Sequence, residues 1–286
     1  MKIKKVITSG CSFSDPFTPY SWVNMLENYT QLIDGNVKFD HRGLGSQGQE
    51  LIQKKAFHAI VEALDEGYKP EEIAVIVMWS GTDRKAFYID NYTLINEIVE
   101  GWKNSHQGWQ LQFFDLKNNM EARNQIVTKA TINNRISFNP HGGWFITNGS
   151  VRDGVKFLTE FFMMAKDSPG VAPTHTSIEN IIMLQSFCKL KGIQLYQQFY
   201  STHTLGDIER YKDHQIIEYL YKQLDEKSIV SRTSMYDYLA HDVNNFKSNT
   251  DHHPGGLGHK IWTHEVLIPH LKQKGFFNES TRNSPV

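Results

Sequence analysis

Four short stretches of this 286-residue chain carry side chains able to do covalent chemistry. In "VITSGCSFSD", residues 6–15, a β-branched run stops at Ser9 and Gly10 and is followed at once by Cys11, Ser12 and Ser14. A buried strand that ends in glycine and small polar residues delivers a side chain to the edge of a sheet, where a ligand can reach it. A thiol and two hydroxyls compete for that position. The second stretch, "RGLGSQGQ" at 42–49, is a glycine-rich turn opening a helix, and the unpaired N–H groups of a helix N-terminus attract negative charge. The third, "WSGTDR" at 79–84, follows the most strand-like run of the chain. The fourth, "DHHPGGLGH" at 251–259, places Asp251 and His253 two apart. A nucleophile, a base, a carboxylate able to orient that base and several N–H donors are the parts that acyl transfer requires.

The elements that must bring these stretches together follow from the hydrophobic pattern. "KKVITSG" (4–10) reads as a buried strand, "YSWVNMLENY" (20–29) as a short helix and "GNVKFDHRG" (35–43) as a second strand. From Ser46 to Leu64 the residues Ile52, Ala56, Ala59, Ile60, Ala63 and Leu64 recur at helical spacing, with Gly67 as the stop. "EEIAVIVMWSG" (71–81) is apolar nearly throughout, as a strand covered on both faces should be. This β-α-β-α-β order predicts an α/β fold, a three-layer sandwich with a mostly parallel sheet, whose strand ends collect the first three stretches. Further on, "SIENIIMLQSFCKLKG" (177–192) reads as a helix, "IQLYQQFY" (193–200) as a strand and "DIERYKDHQIIEYLYKQL" (207–224) as one polar-apolar helix. The Pro/Gly turn of the fourth stretch leads into a final helix with His259 in its first turn.

Residues 101–150 carry Trp102, Trp109 and Trp144 without a sustained period. They predict an insertion or lid at about 101–175 within a single domain spanning 1–275, followed by a polar tail at 276–286. The tryptophans of the insertion are either its core or a platform on which a sugar could stack.

Composition narrows the function classes. A net charge of -1 gives no electrostatic footprint for nucleic acid or for an anionic membrane. Two cysteines make no disulfide framework and fit a reducing compartment. The apolar part of "MKIKKVITSGC" is too short for a signal-peptide core, and no run has transmembrane length. The expectation is a cytoplasmic protein with neither nucleic-acid nor membrane partners. Cys188 falls on the apolar stripe of Ile181, Ile182 and Leu184 and reads as core. Thirteen histidines raise the question of a metal. Adjacent His252 and His253 on an extended segment point to opposite faces, however, and no cysteine or carboxylate cluster completes a site. Gly43, Gly45 and Gly48 lack the lysine of a phosphate-binding P-loop and follow the second strand, not the first.

Taken together, the four stretches resemble the blocks of the SGNH (GDSL-like) hydrolase family. "GCS" resembles its first block, "GLGSQG" its second, "GTD" its third and "DHHPGGLGH" its last. The resemblance implies a flavodoxin-like sheet and the hydrolysis of an oxygen ester, of the esterase or carbohydrate O-deacetylase type. It implies no metal or organic cofactor, and a small-molecule or carbohydrate ester as substrate. Carried over residue by residue, it makes Ser12 the nucleophile, His253 the base, Asp251 the acid that orients it, and Gly45 an oxyanion donor. The chain departs from the family pattern in three places. Cys11 replaces the first-block Asp, and one residue separates Asp251 from His253 where the family has two. Asp83 stands where the family has an oxyanion-stabilising Asn. Either Arg84 neutralises that carboxylate or Thr82 supplies the donor instead. An O-acyltransferase using the same residues, and a catalytically silent binding or structural module on the same fold, are the alternative functions.

Overall fold

The computed structural model describes residues 3–82 other than 19 and 46, the strands 85–89, 111–114, 126–127 and 143–147, and residues 170–277 other than 249. Four strands form an all-parallel sheet: β1 (Lys5–Gly10), β2 (Lys38–His41), β3 (Ile73–Trp79) and, late in the chain, β8 (Gln194–Phe199). Their spatial order is β2-β1-β3-β8. Register runs Val6 against Phe39 and Ala74, and Val77 against Gln197. The chain therefore leaves β1 for one neighbour through α1 (Trp22–Ile33) and reaches the other neighbour through α2 (Gln49–Asp65). The reversal opens a crevice at the carboxyl ends of β1 and β3, the place where sheets of this kind bind ligands.

Both faces of the sheet are covered, and the two-residue period of the strands assigns each side chain to its layer. Ile7, Val75, Val77 and Trp79 pack with Ile52, Ala56 and Ile60 of α2 and with Ile178, Ile181 and Leu184 of α3 (Val171–Lys191). Val6, Ala74, Ile76 and Met78 pack on the other face with Trp22, Val23 and Leu26 of α1. That second layer also holds Trp262, Leu267 and Leu271, from the last helical stretch. After a short α6 (Met235–Leu239), it runs through α7 (Gly256–Ile261), a π-helical stretch (Trp262–Leu267) and α8 (Ile268–Gln273). Each Val, Leu, Ile or Met side chain among these contributes about 1.5–3 kcal/mol by leaving water, so the two layers hold the sheet far more firmly than helix propensity could. Adjacent glutamines on β8 serve opposite layers. Gln197 Oε1 accepts the Trp79 indole N–H at 2.8 Å, and Gln198 Oε1 accepts that of Trp262 at 2.7 Å. Both buried tryptophans thereby keep a polar partner.

The last third departs from expectation in two places. Residues 207–224 are not one helix but α4 (Thr202–Tyr211) and a short α5 (Glu218–Tyr221). Ile208 and Ile217 are both fully buried, yet nine residues along one helix turn a side chain by about 180°, to the opposite face. Only a break between them, closed by the Tyr211 and His214 carbonyls accepting from His214 and Ile217 N–H, brings both to the core. The polar tail begins later than 276. Phe276 is 4% exposed and packs edge-on against Tyr196, while Phe277 packs against Tyr29.

A second sheet is antiparallel. It orders β4 (Lys85–Ile89), β7 (Gly143–Thr147), β5 (Leu111–Phe114) and β6 (Ile126–Val127) as β4-β7-β5-β6. The chain thus leaves the parallel sheet directly after Thr82, earlier than residue 101, and is back by Val171. Trp102 and Trp109 lie outside the described residues. No described helix is long and apolar enough to cross a membrane.

Candidate active site

β1 ends at Gly10, and the next residues turn tightly: Ser14 N–H donates to the Cys11 carbonyl at 2.8 Å, closing a 3-10 turn over Ser12–Ser14. Two glycines make this turn possible. A Cβ on Gly10 would overlap the Ser14 hydroxyl, and one on Gly43 would overlap the Ser14 carbonyl. Ser14 is thus clasped between the end of β1 and the loop after β2, with Leu44 N–H donating to the Gly10 carbonyl at 3.1 Å. In the same arrangement Gly45 is brought alongside the nucleophile candidate, where its Cβ would stand 4.0 Å from that of Ser12. The Gly43→Ala variant should lose about 1–3 kcal/mol of stability through overpacking. The backbone it strikes carries Ser12, so activity of the folded fraction should fall as well. Denaturant midpoints together with specific activity read the two effects separately.

Ser12 meets His253 across 241 residues of sequence: Ser12 Oγ lies 2.9 Å from His253 Nε2. On its other side the imidazole Nδ1 lies 2.6 Å from Asp251 Oδ1, which also accepts the His253 backbone N–H at 3.1 Å. An aspartate that accepts the N–H two residues on is an Asx turn. That turn explains how one intervening residue suffices, since it folds the carboxylate back under the ring of His253. A carboxylate only accepts, so the ring proton belongs on Nδ1, and the Nε2 lone pair is left to accept the Ser12 hydroxyl proton. The Phe13 ring packs at 5.4 Å against the imidazole and at 5.1 Å against Tyr200, which fixes the ring from its flank.

Electrostatics favour the same assignment. Burial pushes the Asp251 carboxyl upward, but hydrogen bonds from the His253 ring and backbone, with the nearby charges of His253 and Lys247, outweigh it and hold the group below the usual range. The side chains of His253 and Asp251 are 42% and 45% exposed, so the pair is open to solvent. That exposure also screens the pair. Asp251→Asn should therefore slow turnover towards the low end of the roughly 10²–10⁴-fold range that a misdirected tautomer costs. Steady-state rates on an acetyl ester measure it. An unchanged rate would mean that His253 works with Ser12 alone.

His252 turns the other way and is exposed, its Nδ1 3.1 Å from the hydroxyl of half-buried Tyr236 and its ring beside half-buried Phe246. Cys11 is fully buried in the layer of Trp22 and Met78. Cys188 is buried too, and desolvation pushes its thiol up to about 12. Neither sulfur stands at the crevice. Thr82 Oγ1 donates to Asp207 Oδ2 of α4 at 2.9 Å. Its hydroxyl proton is therefore committed to that carboxylate. Asp83 and Arg84 lie outside the described residues. Among the described residues no group of three His, Cys, Asp or Glu side chains could hold a metal ion.

Sequence reading missed the inner support of the site. Ser80 is fully buried at the end of β3, donating to the Gln47 carbonyl at 2.8 Å and accepting at its own carbonyl from Gln49 and Thr204. These bonds tie the second and third stretches together. The run of polar residues just past two apolar strands was the available signal.

His259 is 1% exposed, and its Nδ1 accepts the backbone N–H of Trp22, the first residue of α1, at 3.2 Å. Ser21, at the usual capping position, makes no side-chain cap, so a histidine from the far end of the chain does the work. Burial, then the charges of Lys247 and His253, push the His259 imidazole down to about 3. The unfolded chain takes up this proton near pH 6.5 and the folded one only near 3, so acidification through that interval favours unfolding. Stability should be whole above about pH 6.5 and fall below it, with a slope of up to about 1.4 kcal/mol per pH unit from this group. Denaturant midpoints as a function of pH should show a shallower acid limb in His259→Asn than in the wild type. Parallel limbs would contradict the assignment.

Compared with models of protein families, with curated proteins and with solved structures, the chain matches none.

Proposed function

We propose that this chain is a serine hydrolase of the SGNH type that cleaves an oxygen ester through an acyl-enzyme. The observation that carries the reading is the unbroken chain from Asp251 Oδ1 through the His253 imidazole to Ser12 Oγ, at 2.6 and 2.9 Å, at the crevice of a parallel sheet. The strand order β2-β1-β3-β8, with helices on both faces, supports the flavodoxin-like arrangement that the sequence blocks imply. Ser12 and His253 alone would form a dyad, and the carboxylate makes the set complete.

In the proposed mechanism His253 Nε2 takes the Ser12 hydroxyl proton while Oγ attacks the ester carbonyl. Asp251 stabilises the imidazolium that results. The developing oxyanion is held by the backbone N–H groups of Ser12 and Gly45; neither donates a hydrogen bond to another backbone carbonyl among the described residues. Collapse of the tetrahedral intermediate breaks the ester C–O bond, and His253 returns the proton to the departing alcohol. Water, activated by the same nitrogen, then cleaves the acyl-serine and regenerates Ser12. A 4-nitrophenyl acetate assay tests this: a burst of nitrophenol followed by steady turnover is expected. Turnover no faster than buffer, also with longer acyl chains, would sink the proposal.

Asp83 supplies a further test. The block alignment sets Asp83 where the family has its oxyanion-stabilising Asn, and a carboxylate in that role would repel an oxyanion at a few ångströms by on the order of 4 kcal/mol at an effective dielectric of about 20. One oxyanion donor supplies a comparable 3–4 kcal/mol or so. Asp83→Asn should accordingly raise the rate on simple acetyl esters. A large loss on every ester from a folded variant would instead give Asp83 an organising role of its own.

A further inference from the structure

The nucleophile and the base come from opposite ends of the chain, so something must hold two distant segments in register to within a few tenths of an ångström. A second route connects them besides the Ser12–His253 bond. Ser14, in the same 3-10 turn as Ser12, accepts the Trp22 indole N–H on its hydroxyl at 3.1 Å. The backbone N–H of the same Trp22 donates to His259 Nδ1 at 3.2 Å. His259 N–H in turn donates at 3.0 Å to the carbonyl of Gly255, two residues beyond His253. Ser14 and Trp22 are fully buried and His259 is 1% exposed. Water cannot substitute for a lost partner along this route at little cost.

Geometry leaves the turn little room to respond in any other way. Gly10 and Gly43 close on Ser14 from two sides, so a shift of Ser14 must carry Ser12 with it. At the other end, the antiparallel bridge of Phe246 with Pro254 and the bond from Lys247 N–H to the His253 carbonyl at 2.9 Å restrain the base-bearing loop.

We infer that Ser14, Trp22 and His259 are positioning residues that act as one clamp, holding the turn of Ser12 against the segment of His253. The inference rests on the hydrolase reading for its kinetic consequence, though not for its geometry. Trp22 works through both of its N–H groups, the indole towards the nucleophile's turn and the backbone towards the helix that follows the base.

The test compares Trp22→Phe, which removes only the indole N–H, with Ser14→Ala, the double variant, and His259→Leu against His259→Asn. Two readouts are taken: the rate at which a fluorophosphonate modifies Ser12, and the ¹⁵N resonances of the His253 ring, with Ser12→Ala as the reference for a lost hydrogen bond. Trp22→Phe and Ser14→Ala should each slow modification roughly 10- to 100-fold, the scale of a misplacement approaching 1 Å. The double variant should be no slower than the slower single one, because both remove the same bond. His259→Leu should behave alike, and His259→Asn, which keeps an acceptor, should recover much of the rate. In each impaired variant the His253 resonances should move towards those of Ser12→Ala. The clamp is overturned if those resonances stay at their wild-type positions, even where the melting temperature falls, or if the two single losses multiply. A wild type that the probe does not modify counts against the hydrolase reading, and the ring resonances still decide the clamp.

Discussion

Ser12→Ala should abolish ester hydrolysis while leaving the fold intact. The Ser12 side chain contributes its hydroxyl to a single described partner, His253 Nε2, so its removal opens no cavity in either core layer. In serine hydrolases, loss of the nucleophile costs on the order of 10⁶-fold in kcat, about 8 kcal/mol of barrier. What survives should be the weak residual rate from oxyanion donors and binding alone. The measurement is kcat on an acetyl ester beside a thermal melt. Undiminished turnover in a variant that melts like the wild type would remove Ser12 from the mechanism.

His253→Ala should cost nearly as much, and the adjacent residue provides an internal control. Both histidines are part of the loop before α7, one directly after the other, but only His253 faces Ser12, and its Nδ1 is held at 2.6 Å by Asp251. His252 lies against Tyr236 and Phe246. Loss of the base leaves Ser12 a neutral alcohol at physiological pH, so roughly 10⁵–10⁶-fold of the rate should go with it. His252→Ala should stay within a factor of a few. Equal losses in the two variants would mean that the loop acts through its conformation, not through one imidazole.

The two central strands of the parallel sheet, β1 and β3, were the most legible part of the sequence because they are built largely of β-branched and apolar residues, as a doubly covered sheet requires. Ile73–Trp79 is the clearest case, with every residue buried. The helix at 207–224 misled, since its composition is helical throughout and only the burial of both Ile208 and Ile217 forces the break. At the site, Ser12 and Gly45 were readable from glycine-rich turns after strands, and His253 from the Pro/Gly turn before the last helical stretch. The reach of Asp251 was not, because it depends on an Asx turn that folds the carboxylate back on its own chain. His259 carried no local signal at all, as its partner Trp22 stands 237 positions away. Contacts of that separation are created by packing the last helix beside the first, which no local pattern encodes. The excursion was recognised by its loss of period only from residue 101, not from β4 (Lys85–Ile89), and not as an antiparallel sheet, because its strands are short: Ile126–Val127 comprises two residues.

The central claim is that Ser12 is an activated nucleophile, and the most direct measurement is reaction with a fluorophosphonate followed by mass-spectrometric location of the adduct. Unactivated serines do not react with such probes, whereas one held 2.9 Å from a carboxylate-oriented imidazole should. The expected result is a single adduct on Ser12, lost in Ser12→Ala and in His253→Ala and unchanged in His252→Ala. An adduct on Cys11, or a fully folded protein that takes up none, would contradict the account.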